Sequence, residues 1–281
     1  MKIKTIRQII ASKFDRWANS IEDEALRKMV MDNTIITGGC IVSMLLQEKV
    51  NDFDIYFRNY DTALAVARHY AKDVPGVNIK EMDEDGVYGD KAKAKKVRIS
   101  IRTNADTIYK GEEEASDESE EEKAGEKFTV KFMSSNAITL SGKIQLVMRF
   151  YGNPEDIHKN YDFVHCTSYW SSWDNKLVTP EKALAAILTR ELIYVGSKYP
   201  LCSLIRIRKF VARGWTITAG QMLKIILQLN ELKLTDIKVL QDQLVGVDSA
   251  YFAQLLTAIK DVDPEKMNAT YLGAVIDNIH Q

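Results

Sequence analysis

At 281 residues and 31.9 kDa the chain exceeds the usual 100–200 residues of one domain, so one large or two modest domains are expected. Its 46% hydrophobic and 27% charged composition suits a globular chain, and no apolar run approaches the roughly 18 residues of a membrane span. The start MKIKTIRQIIASKF lacks the apolar core and small-residue cleavage site of a secretory leader, and three scattered cysteines (Cys40, Cys166, Cys202) make no disulfide framework; a reducing, cytoplasmic setting is expected. His69, His158, His165 and His280 show no metal-ligand spacing and read as surface or packing residues.

In chain order, Ile6, Ile9, Ile10, Phe14, Trp17, Ile21, Leu26 and Val30 form a helical stripe through residues 3–31. Thr34–Thr37 is a short strand ending at Gly38-Gly39, with a helix at 41–46. Phe53–Phe57 is a buried strand and Thr62–Ala71 the helix after it, a strand–turn–helix–strand unit of an α/β layer. Residues 83–96 are polar without periodicity, and Val97, Ile99 and Ile101 alternate as a half-exposed strand. Residues 111–127 carry nine acids and two lysines, leaving 36 basic against 30 acidic residues, net +6, elsewhere. That run reads as a solvated disordered insert, or more sharply as a gate over a basic groove.

Strands are expected at 128–132, 137–140, 144–150 and 161–166, the second and third joined as a hairpin at Ser141-Gly142. From Thr179-Pro180-Glu181 strand signals stop, and helical patterns run through 181–195, 201–213, 218–231, 235–244, 249–260 and 269–279. The expected architecture is α+β: a mixed-sheet domain at 1–178 carrying the acidic insert, then an α-helical domain at 179–281.

The stretch that carries chemistry is Ile36-Thr37-Gly38-Gly39, a gap of twelve, then Asp52-Phe53-Asp54-Ile55. Alternation along a strand puts Asp52 and Asp54 on one face and Phe53 on the other. Two close carboxylates ionised together need a cation, and oxygen ligands indicate a hard one, Mg2+, which keeps waters and substrate phosphates in its remaining positions. Gly38 and Gly39 present unhindered backbone N–H groups at a helix start, where a triphosphate can sit.

This ordered set resembles the nucleotidyltransferase superfamily with a DNA polymerase beta-like palm. GGCIVSMLLQEKVNDFDIYF is similar to the head motif of tRNA nucleotidyltransferases and bacterial poly(A) polymerases, GGxVRDxLLG followed by DIDI. Asp162-Phe-Val-His-Cys166 resembles that family's RRDFTIN segment, and Arg206–Ile217 its RFAARLGFTI helix; these islands span roughly residues 35–217. There are departures. Val42-Ser43 stand where the family has Arg-Asp, Asn160-Tyr161 replace Arg-Arg, and the Glu-Asp-x-x-Arg pattern of CCA-adding enzymes is not apparent. Divergent phage-encoded nucleotidyltransferase-like proteins share this general look.

The resemblance implies a palm fold and transfer of NMP from an NTP to an acceptor hydroxyl, an RNA or tRNA 3′ end by the nearest likeness. It implies catalytic metal ligands at Asp52, Asp54 and, as third carboxylate, Asp162, for which Asp90 and Asp106 are rivals; Gly38, Gly39 and Ser43 would hold phosphates. On the 201–213 helix, Arg206, Lys209 and Arg213 lie within about 60° of one another, a stripe for a triphosphate, an RNA backbone or merely solvent. Trp170 and Trp173 read as packing residues before base-stacking ones. The alternative from the same residues is a catalytically silent binding or phage structural protein that keeps the fold.

Overall fold

The computed structural model describes residues 2–72, 74–83, 97–103, 109–110, 127–134, 136–234, 236, 239–240, 243, 270–271 and 273–274. Most of the acidic run, the rivals Asp90 and Asp106, and most of the helices expected beyond residue 235 lie outside them. The chain divides into two compact units, Met1–Lys159 with Cys166–Leu184, and Asn160–His165 with Ala185–Gln281.

In the first unit, α1 (Ile3–Asn19) and α2 (Glu24–Asn33) replace the single helix expected over 3–31. The stripe is interrupted because Asp23 caps α2, its carboxylate accepting from Leu26 N at 3.0 Å, an N-cap bond that begins a new helix. Next come β1 (Thr34–Thr37), α3 (Gly39–Leu46), β2 (Phe53–Phe57) and α4 (Tyr60–Ala71), the expected strand–turn–helix–strand unit. After them lie β3 (Val77–Asp83), β4 (Val97–Thr103), β5 (Tyr109–Lys110), β6 (Val130–Met133), β7 (Ala137–Leu140), β8 (Ile144–Tyr151) and α5 (Pro154–His158). A 3-10 turn (Val164–Cys166) precedes β9 (Tyr169–Ser171) and β10 (Lys176–Val178), which form a hairpin.

Eight strands form one mixed sheet in the order β10-β9-β1-β2-β8-β7-β6-β5, while β3 and β4 pair separately. Among the described strands, only β2 and β8 run parallel in it, the long connection through α4 serving as the crossover that parallel pairing requires. One face of the sheet packs on the helices. Ile36, Phe53, Ile55, Phe57, Ile144, Leu146, Met148 and Trp170 join Ile6, Ile10, Phe14 and Trp17 of α1 in one core. Trp17 Nε1 donates to Tyr70 Oη at 2.9 Å, satisfying both polar tips inside it. Each fully buried large side chain of this kind contributes roughly 1.5–3 kcal/mol. The fold class is therefore the α+β mixed sheet with flanking helices that the patterning predicts.

In the second unit α7 (Pro200–Ala212) and α8 (Ala219–Asn230) follow the C-terminal part of α6 (Glu181–Thr189). The helix expected through 195 stops at Thr189 because Arg190 takes a left-handed φ of 51° and Glu191 bridges to Thr216. The strand expected over 161–166 is instead one isolated bridge, Phe163 to Tyr194, followed by the 3-10 turn. Its backbone partners, Ile193 O and Val195 N, also belong to the second unit.

Candidate functional site

Register builds a polar row across the first unit's sheet. In an antiparallel ladder, directly paired residues share a face, and Asp54 pairs with Thr37 while Ile36 pairs with the core residue Ile55. Thr37 in turn pairs with Tyr169, and Asp54 lies level with Gln145 of β8, which pairs with Thr139 of β7. Tyr169, Thr37, Asp54, Gln145 and Thr139 thus stand side by side on the face opposite the helical layer. Asp54 is half-buried; Asp52, two residues earlier and just ahead of β2, is exposed.

The turn after β1 supplies the second component. Gly38 has φ 87° and ψ −145°, a conformation essentially confined to glycine, and this lets the chain leave β1 and start α3 through that single residue. Gly39, the first residue of α3, is exposed, and a Cβ placed on it would meet nothing within 4 Å. Its neighbours do not require glycine there. The space suits close approach of another molecule to the N–H groups at the start of α3. Ser43 is buried at 5% exposure, one turn into the helix.

Thr37 ties the row together. Its hydroxyl lies 2.8 Å from Ser168 O, 3.4 Å from Cys166 O and 2.9 Å from His158 Nε2. The single hydroxyl proton goes to a carbonyl, so His158 Nε2 carries a hydrogen and donates to Thr37 Oγ1. Burial lowers the His158 imidazole to about 4, against the opposing pull of Glu155, and keeps the ring neutral. Cys40 donates its thiol to Thr37 O at 3.7 Å. Burial first, then the charge of Asp54, pushes that thiol far above its ordinary range, so it stays protonated and is no thiolate ligand.

The other sequence-derived candidates lie in the second unit. Asp162 is buried, and its Oδ2 accepts from Arg206 Nη1 in an ion pair whose side chains are 9% and 30% exposed. Lys209 and Arg213 are exposed, and Arg213 O accepts from Arg190 Nη1 at 2.8 Å. The structure therefore splits the expected basic stripe: Arg206 engages a carboxylate, while Lys209 and Arg213, with Arg208, face solvent. Among the described residues no three of His, Cys, Asp and Glu gather as a metal site. Trp170 is a core residue that donates to Asn175 Oδ1 at 2.9 Å, and Trp173, 37% exposed, lies under the Arg58 guanidinium at 4.8 Å.

Sequence reasoning singled out Asp52, Asp54, Gly38 and Gly39 but missed Thr37, Tyr169 and the tethering of His158. The available signal was the Thr immediately ahead of Gly-Gly and the Tyr-Trp alternation at 169–170, which reads as a strand with one face buried.

Fold and register together define an α+β protein that sets Asp54 level with the residue preceding a Gly-Gly helix start on one face of a mixed sheet. The chain belongs to the family described as Gad2, Gabija anti-defense 2 family protein, whose model matches residues 8–190. It is 21% identical over 243 residues to "Gabija anti-defense 2" of Bacillus phage SPbetaL7, covering 86% of this chain and 48% of that protein. The chain thus spans about half the length of that curated relative. Among solved structures it is similar to a Thermotoga maritima CCA-adding enzyme complexed with tRNA, at TM-score 0.40 and 11% identity over 89% of this chain and 56% of that one. A Bacillus stearothermophilus CCA-adding enzyme in complex with CTP matches at TM-score 0.39 and 15% identity, over 92% of this chain and 52% of that one. Among the described residues, no helix is long and apolar enough to cross a membrane.

Proposed function

We propose that the chain is a metal-dependent nucleotidyltransferase that moves NMP from an NTP to an acceptor hydroxyl, an RNA 3′ end being the acceptor that the sequence resemblance favours. The observation that carries this reading is the register setting Asp54 level with Thr37, one residue from the Gly38-Gly39 turn. The donors fit a hard cation: two carboxylates supply oxygen, and the neighbouring Cys40 is a neutral thiol. Asp52 and Asp54 would hold Mg2+, which when bound neutralises charge on the attacking and leaving oxygens of an in-line displacement.

The chain's own residues supply positioning. Backbone N–H groups at the start of α3 hold the phosphates where no side chain obstructs them, and Thr37, fixed by Ser168 and His158, holds the strand that carries Asp54. The acceptor oxygen bonds to the α-phosphorus, the bond to the β-phosphate oxygen breaks, pyrophosphate leaves and the acceptor proton passes to solvent. We assign Asp162 and Arg206 to a structural clasp, and Lys209 with Arg213 to contacts along an RNA backbone. The family's name supports reading this chemistry as serving antagonism of the defence it names.

A second reading, a silent binding protein, is favoured by one observation: the nominated third carboxylate, Asp162, is already ion-paired. Incubation with Mg2+, each α-labelled NTP, and RNA, protein or small-molecule acceptors separates the two. Labelled product with pyrophosphate supports transfer; no release with any NTP and acceptor supports the silent reading.

A further inference from the structure

We propose that Tyr169, backed by His158, is the nucleoside subsite of this unit, the surface on which the base of a bound nucleoside triphosphate stacks. This rests on the reading of Gly38, Gly39, Asp52 and Asp54 as the triphosphate and metal end of the site.

Three observations converge on Tyr169. First, its place in the row fixes its direction. Tyr169 pairs with Thr37, which pairs with Asp54, whereas the next residue, Trp170, pairs with Ile36 and packs on Phe14 at 5.1 Å between ring centroids. Trp170 anchors β9 in the core and thereby commits Tyr169 to the carboxylate face, half-buried. Two strand spacings, about 10 Å, separate the backbones at Tyr169 and Asp54. That is the order of reach of an extended nucleotide from its outer phosphates to its base.

Second, the ring has a fixed companion. The His158 imidazole lies 5.8 Å from the Tyr169 ring, tilted by 55°, and its Nε2–H is held by Thr37 Oγ1 at 2.9 Å. A neutral imidazole and a phenol side by side make an aromatic corner with a polar rim, a surface on which any base stacks through its π-face. Third, the two ends of the row offer different donors. The start of α3 at Gly39 is open to backbone approach, whereas Tyr169 and His158 present ring faces. The phosphates therefore belong at Gly39 and the nucleoside at Tyr169. The opposite side of Asp54, at Gln145 and Thr139, is left for the acceptor.

The experiment measures binding, not turnover. Affinities of the full chain for ATP and for inorganic tripolyphosphate, both with Mg2+, are compared by calorimetry for wild type, Tyr169→Phe and Tyr169→Ala. The wild type is expected to prefer ATP, and Tyr169→Ala to lose about five- to a hundredfold in ATP affinity with tripolyphosphate unchanged. Tyr169→Phe should retain most of the ATP affinity. Equal wild-type affinities for the two ligands, or equal weakening of both by Tyr169→Ala, overturn the subsite while leaving the triphosphate reading intact. Binding of neither ligand overturns that reading and the subsite with it. Saturation-transfer NMR on the wild type does not depend on how the variants fold: transfer from tyrosine ring protons to the adenine protons supports the subsite, and transfer to neither base nor ribose removes it.

Discussion

The Asp162 carboxylate accepts from the Arg206 guanidinium inside the second unit, joining two residues that the sequence nominated for different tasks, metal binding and phosphate binding. Asp162 also holds the backbone, its carbonyl accepting from Val195 N at 2.9 Å. A carboxylate 9% exposed and paired in this way is costly to leave alone, because removal of its partner strands a desolvated charge.

Arg206→Ala should therefore destabilise the protein by roughly 1–3 kcal/mol, below the range of a fully buried pair because the arginine is 30% exposed. Asp162→Asn should cost a similar amount. The double variant Asp162→Asn/Arg206→Ala should cost less than the sum, since no lone charge remains. Thermal melts of the four proteins check this. Additive losses, or melting points unchanged in the single variants, contradict the clasp.

Acid sensitivity follows from two desolvated imidazoles, His165 buried and His158 half-buried. Burial lowers His158 and His165 to about 4 each; His165 sits among Phe163, Phe210 and Trp215. Between about 6.5 and 4 the unfolded chain takes up protons on both and the native chain does not. Their contribution is thus fully present above about 6.5 and is lost as pH falls toward 4, by at most about 1.4 kcal/mol per pH unit for each histidine. His158→Gln and His165→Phe should each flatten the fall in melting temperature across that window. Curves parallel to the wild type would show that neither histidine carries the effect.

The two glycines should separate fold from ligand. Gly38→Ala forces a Cβ onto φ 87° and should cost about 1–3 kcal/mol. Gly39→Ala meets nothing within 4 Å and should melt no lower than wild type, yet weaken Mg2+–ATP binding at least several-fold if phosphates approach that backbone. Unchanged binding in folded Gly39→Ala would move the phosphates elsewhere.

The central unit was legible because its signals are local. Apolar Thr34–Thr37, Gly-Gly and Asp-Phe-Asp each specify backbone or face within a few residues, and the register sets Asp54 on the face opposite the core as alternation requires. Contacts that depend on distant chain were hidden. Thr37 meets His158 across 121 residues of sequence and Ser168 across 131, and no periodicity announces either. The segment at 161–166 read as a strand because Tyr161, Phe163 and His165 alternate with smaller or charged residues. The interior of the second unit buries Asp162, Phe163, Val164 and His165 alike, so the segment packs on all sides and its alternation marks no ladder.

Mg2+-dependent pyrophosphate release from an NTP, compared between wild type and Asp54→Asn, tests the central claim most directly. Asparagine keeps the shape and the half-buried setting of Asp54 but removes the charge that a hard cation needs. The expected result is release by the wild type, abolished in Asp54→Asn, with the two proteins melting within a few degrees of each other. Release that persists in a folded Asp54→Asn, or loss of release explained by unfolding of that variant, would contradict the assignment of Asp54 to the metal.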